Sequence, residues 1–151
     1  MSYLRKSDDL MSKMAHNQAY IFEQSSFDGL PSYAFIKMYM CSPETAKLDK
    51  LISASDDEIY IPIKAKITKR GTILSSDIMH WIGYIYRSLS YLYNISSRVL
   101  FRKVPPKYLV SVYPLYHSQD PAKAASWIYE SKLNNKQTSI DQILALMRKI
   151  Y

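Results

Sequence analysis

Apolar positions along most of this chain recur at helical spacing. Leu10, Met14, Ile21 and Phe22 follow Ser7, a residue type that caps helix starts, and the run ends at Phe27-Asp28-Gly29, which predicts a first amphipathic helix. Pro31 suits the opening of a second helix with Phe35, Met38 and Tyr39 on its apolar face, and Ser42-Pro43 restarts the chain into a short one through Ala46, Leu48 and Leu51. Ser53 to Glu58 is polar and acidic and reads as a loop. From there the period changes. Ile59, Ile61, Ile63, Ala65 and Ile67 alternate with Tyr60, Pro62, Lys64, Lys66 and Thr68, the pattern of a strand with one buried face, placed at an edge because Pro62 has no N–H for a ladder. Lys69-Arg70-Gly71 would turn this strand into Thr72-Ile73-Leu74, closing a small β-hairpin that leans on the helices.

Ser75-Ser76-Asp77 signals the start of a central helix in which Ile78, Trp81, Ile82, Ile85, Leu89 and Leu92 form one stripe, with Tyr84 and Tyr91 beside it and Tyr86 and Tyr93 on the other flank. Apolar coverage this wide places the helix inside a bundle. Gly83 costs about 0.5 to 1 kcal/mol against Ala there, so a neighbouring helix should approach it closely. Arg87 points away from the stripe and is free to snorkel over Tyr84 and Tyr91, to stack on them, or to pair with a distant acid. Ser96 or Ser97 can cap a short helix that ends before Pro105-Pro106. The next run, through Tyr108, Leu109 and Val112, is interrupted at Pro114. Asp120-Pro121 opens a helix carrying Ala124, Ala125, Trp127 and Ile128; Asn134-Asn135-Lys136 is a connector; and Thr138 with Asp141 starts a last helix presenting Ile140, Ile143, Leu144 and Met147. The fold class is therefore mainly α, a single-domain helical bundle over residues 1–151 with a small β-hairpin.

Composition supports one core: 151 residues, 48% of them hydrophobic, can bury about 68 to 70% of the unfolded surface. The one cysteine, Cys41, excludes an internal disulfide, and the N-terminal residues lack a signal-peptide core, so a reducing, cytoplasmic setting is expected. Ile78 to Asn94 is too short and too polar to span a bilayer, and no membrane partner is expected. Charge changes the picture more. Residues 1–58 hold six Lys/Arg against nine Asp/Glu, residues 59–119 hold nine against one, and the 42 residues from Ile78 to Gln119 contain no acid at all. That positive pole favours an acidic partner.

Catalytic and metal chemistry are thinly supplied. His16, His80 and His117 are far apart in sequence and have no paired-ligand spacing, so neither a metal nor any other cofactor is expected. No nucleophile elbow or phosphate-cradling glycine loop is present, and His117-Ser118-Gln119-Asp120 reads as a turn with Asp120 as a cap. An enzyme using Arg87, Tyr84 and His117 is the remotest reading. Leu89 to Val104 has the form of a helix-turn-helix: Ser97, Arg98 and Arg102 would face a DNA groove, Lys103 and Lys107 would meet phosphates, and Lys64, Lys66, Lys69 and Arg70 would add a basic wing.

The runs Met79-His80-Trp81-Ile82-Gly83-Tyr84-Ile85-Tyr86-Arg87, Ser96-Ser97-Arg98-Val99-Leu100-Phe101 and Leu115-Tyr116-His117-Ser118-Gln119-Asp120-Pro121 resemble a set of small bacterial proteins often labelled antitoxins. The likeness covers roughly the second half of the chain, with a fainter echo in Phe35 to Ser42 and Ala46 to Asp49. It implies a non-enzymatic protein that binds and neutralises a cognate toxin. Such a surface needs aromatic and arginine anchors, for which Tyr84, Arg87, Tyr91 and Tyr113 are the candidates, followed by Tyr86, Tyr93 and Arg98. The alternative is a helix-turn-helix transcriptional regulator. The expected partners are a cognate toxin protein, DNA, and a second copy of the chain as a homo-oligomer.

Overall fold

The structure is a computed structural model and describes residues 2–50, 56–68, 70–134 and 147. Eight helices follow in chain order: α1 Ser2–Phe27, α2 Ser32–Met40, α3 Pro43–Asp49, α4 Asp56–Lys66, α5 Ser76–Tyr93, α6 Ser97–Lys103, α7 Pro106–Tyr116 and α8 Pro121–Lys132. Most boundaries follow the local signals. Gly29 takes a positive φ of 73°, and the Leu30 N–H donates to the Ser25 carbonyl at 3.0 Å, closing α1 with a left-handed cap. Ser42, Ser75 and Ser96 accept from the N–H groups of Thr45, Ile78 and Val99, and so cap α3, α5 and α6. Asn94, at φ 52°, ends α5.

α1 and α5 form the central pair, and Gly83 is the reason they can close. A Cβ there would lie 2.9 Å from the Gln18 carbonyl oxygen, 2.9 Å from Phe22 Cγ and 3.0 Å from Ala19 Cα. The expected close approach is thus met, by α1. Around this pair α2, α4 and α6 pack on one side, and α7 and α8 lie against α5. Phe22, Phe35 and Tyr39 meet as a cluster of rings 4.9 to 5.9 Å apart within a continuous core that also takes Met79, Ile82, Ile85, Tyr86, Leu89 and Leu100. The buried face of α5 is wider than its stripe. Met79 and Tyr86 are fully buried, whereas Leu92 is 52% exposed.

The β-hairpin is absent: no strand occurs among the described residues, and the alternating run is helix α4, which also takes in Asp56 to Glu58. The reason lies in an overlap of periods. Ile59, Ile63 and Ile67 are alternate members of a period-two run and also stand at i, i+4 and i+8 of a helix. Ile59 and Ile63 are buried and Ile67 half-buried, while Ile61 is 59% exposed. Pro62 sits inside α4. The segment 70–75 has no regular secondary structure and is tied to the α1–α2 corner: the Ser32 N–H donates to Thr72 O, the Leu74 N–H to Ser32 Oγ, and Ser26 Oγ to Leu74 O. Two serines at the α1–α2 corner thereby satisfy groups that a second strand would have met.

Pro114 likewise fails to interrupt its run, since α7 continues through it to Tyr116. α1 starts at Ser2, so Ser7 lies inside the helix. Leu51, Ser53 to Ser55, Lys69 and the expected last helix fall outside the described residues, apart from Met147, which is helical and 48% exposed. No helix among the described residues is long and apolar enough to cross a membrane.

Candidate binding groove and the network behind it

Arg87, half-way along α5, is wholly buried. A guanidinium placed there needs acceptors for its N–H groups, and three other helices supply four hydrogen bonds. Nη1 donates to Asp49 Oδ1 on α3 at 2.7 Å; Nε and Nη2 both donate to Gln18 Oε1 on α1, at 3.0 and 2.8 Å; Nη2 also reaches Ser97 Oγ on α6 at 3.4 Å. The partners are held in turn. Gln18 Nε2 donates to the Gly83 carbonyl at 2.9 Å, and the Tyr39 hydroxyl donates to Gln18 Oε1 at 3.2 Å. Asp49 accepts from the Ser97 N–H at 2.8 Å and its hydroxyl at 2.6 Å, so α3 supplies a carboxylate to the N-terminus of α6. Tyr91 covers the assembly: Arg87 Cζ lies 5.4 Å from its ring centroid, and burial, opposed by the neighbouring guanidinium, pushes its hydroxyl pKa up. Two of the three expectations for Arg87 hold together, pairing with a distant acid and stacking on a tyrosine.

On the outer side of α5 the surface is concave. A hollow of about 410 Å³ is lined by Trp81 and Tyr84 of α5, Tyr113 of α7, and His16, His80 and His117. Asp77 and Pro121 complete its wall. A second hollow of about 210 Å³ shares Tyr84 and Pro121 with the first and runs on past Met11, Ala15, Tyr91 and Leu92 to Asp120. Together they form one groove along α1, α5 and the α7–α8 turn.

The rings of the groove brace one another. His16 meets Tyr84 edge-on at 5.0 Å, Trp81 meets Tyr113 at 5.6 Å, Tyr113 stacks on His117 at 4.4 Å, and Tyr20 meets His80 at 5.3 Å. His117 Nδ1 lies 2.7 Å from the Tyr113 carbonyl oxygen. A carbonyl only accepts, so Nδ1 carries the proton and Nε2 of the neutral ring is an acceptor. His80 Nδ1 stands 3.9 Å from Glu23 Oε1. Among the described residues no three His, Cys, Asp or Glu side chains are placed to hold a metal ion.

The sequence-derived candidates separate accordingly. Tyr84, Tyr91 and Tyr113 line the groove, while Arg87 lies beneath it, out of reach of any partner. Tyr86 is buried with its hydroxyl on the Val104 carbonyl at 2.6 Å, and Tyr93 stacks on Tyr129 at 4.0 Å. Of the helix-turn-helix set, Ser97 is buried against Asp49 and the exposed Arg98 donates to the Cys41 carbonyl at 2.7 Å, so the start of α6 is docked on its own protein. Arg102, Lys103 and Lys107 are exposed at the α6–α7 corner, Lys107 lying 6.0 Å from the Tyr33 ring; Arg70 is exposed, and Lys69 lies outside the described residues. Sequence reasoning passed over Gln18 and Asp49 as network partners and His16 and His80 as groove residues. The three histidines lie on α1, on α5 and at the end of α7, and no spacing along the chain announces their meeting.

Comparison with known protein families, with curated proteins and with solved structures finds no match.

Proposed function

We propose that this chain is a toxin-neutralising binding protein that acts without catalysis, seating a segment of its partner in the groove around Tyr84. The observation that carries the reading is the gathering of Tyr84, Tyr91 and Tyr113, with Trp81, along one concave surface. Rigid aromatic side chains bury much area at little entropic cost and dominate the centres of protein interfaces. The resemblance of this half of the chain to proteins labelled antitoxins supplies the kind of partner. Co-expression with the product of the adjacent open reading frame tests it: the parent rescues growth, a Tyr84→Ala, Tyr113→Ala double variant does not, and rescue by both removes the groove from the function.

A second reading, DNA binding, is favoured by one observation, the exposure of Arg102, Lys103 and Lys107 together at the α6–α7 corner. Phosphate contacts of this kind predict duplex binding that weakens steeply with salt and is lost in Arg102→Ala, Lys103→Ala. A salt-insensitive or absent titration would remove it.

A further inference from the structure

The groove differs in charge from the rest of the protein. The chain carries 20 Lys and Arg against 13 Asp and Glu, yet among the described residues no Lys or Arg lines either hollow, while Asp77 and Asp120 do. The larger hollow is walled by the rings of Trp81, Tyr84 and Tyr113, whose faces carry negative quadrupole potential. His117 turns Nδ1 to the Tyr113 carbonyl, which leaves Nε2 as the ring nitrogen open to a guest. Aromatic faces, a carboxylate and an imidazole acceptor suit a group that is flat or compact, positively charged and rich in N–H donors.

We infer that the larger hollow receives an arginine or lysine side chain of the partner protein, held by cation–π contact with Trp81 and Tyr113 and by ion pairing with Asp77. This deepens the toxin-binding reading and rests on it: the bound segment presents a basic residue, with its apolar neighbours running into the second hollow past Met11, Ala15 and Leu92. The partner therefore meets this protein at a face opposite in sign to its net charge.

The test titrates the full chain with acetyl-glycyl-arginyl-glycinamide, and with the same peptide carrying citrulline or glutamate, while following the Trp81 indole and the His80 and His117 ring signals by NMR. The arginine peptide should shift these signals saturably at about pH 7.5 and bind about tenfold more tightly than the citrulline peptide. Asp77→Asn, an exposed and conservative change, should lower affinity about three- to tenfold with the fold intact by circular dichroism. Equal binding of arginine and citrulline peptides, or a glutamate peptide that binds more tightly than the arginine peptide, would overturn the inference. So would tetramethylammonium outcompeting the arginine peptide, which would make the guest a free quaternary amine. Failure of the growth rescue with peptide binding intact sinks the toxin reading alone, and loss of peptide binding with rescue intact sinks the arginine guest alone.

Discussion

Arg87 and Tyr84 stand one turn apart on α5 and are solvated in opposite ways. Arg87 is fully enclosed, and its charge is matched by Asp49 and by the oxygens of Gln18 and Ser97 from three other helices. Tyr84 is half-buried, meets His16 edge-on at 5.0 Å and lines both hollows. The enclosed region is complete without a ligand: among the described residues no buried side-chain nitrogen or oxygen lacks a partner. The groove holds rings and acceptors still open to something else. A buried, fully matched charge fixes how helices sit together, and an open aromatic surface is where another molecule can be recognised.

The comparison predicts its largest effect at Asp49. Asp49→Asn leaves the enclosed guanidinium without a counter-charge and should cost about 3 to 5 kcal/mol of stability by chemical denaturation, whereas adding Arg87→Met should recover part of the loss. A loss below about 1 kcal/mol would mean that the network is ornamental. Next come Tyr84→Leu and Tyr113→Leu, each expected to weaken partner binding by about 2 kcal/mol while leaving the denaturation midpoint nearly unchanged. If stability fell as far as affinity, the groove would be part of the core.

Gly83→Ala is the intermediate case, because helix propensity and packing oppose each other there. Propensity favours Ala by about 1 kcal/mol, but the new methyl would press on the Gln18 carbonyl and the Phe22 ring at 2.9 Å. A net loss of about 1 to 3 kcal/mol is expected, and a gain would show that α1 and α5 can part without harm.

The smallest effect belongs to Asp28, a more exposed counterpart of Asp49. It accepts from the Tyr60 hydroxyl and pairs with the half-exposed Lys64 at 3.3 Å, and the tyrosine hydrogen bond, more than the lysine, holds its carboxyl below the ordinary value of 3.8. A carboxylate with a lowered folded pKa stabilises the protein above its unfolded pKa, and that contribution disappears as pH falls through the folded value. Asp28→Asn should therefore cost at most about 1 kcal/mol at neutral pH, and the difference from the parent should shrink as pH falls below 3.8 and vanish below the folded value. A difference that persists in acid would assign the effect to packing.

Much of the helical layout is legible in local signals. The serine caps of α3, α5 and α6, Gly29 after α1 and Pro121 in the first turn of α8 each act within a few residues, whereas Asp120 stands at the cap position of α8 without a side-chain capping bond. The sequence also singled out Gly83 and Arg87 as residues in need of neighbours. It could not name them, because Gln18 and Asp49 are 69 and 38 positions from Arg87 along the chain.

The run from Ile59 satisfies two periods, and the helix is selected by packing against α1 and α2, where Tyr60 meets the Phe35 ring and donates to Asp28. The groove was hidden for a related reason. Its tyrosines were visible as anchors, but the histidines that share its wall come from α1, α5 and the end of α7.

By itself, then, the sequence determined the capped ends of α3, α5 and α6 and the stop of α1, that α5 is central, and that the chain is strongly basic, since caps, periodicity and charge are properties of neighbouring residues. Tertiary structure alone decided that Arg87 is matched inside and that the three histidines share one acidic, aromatic hollow, because both depend on which helices come within a few ångströms of each other.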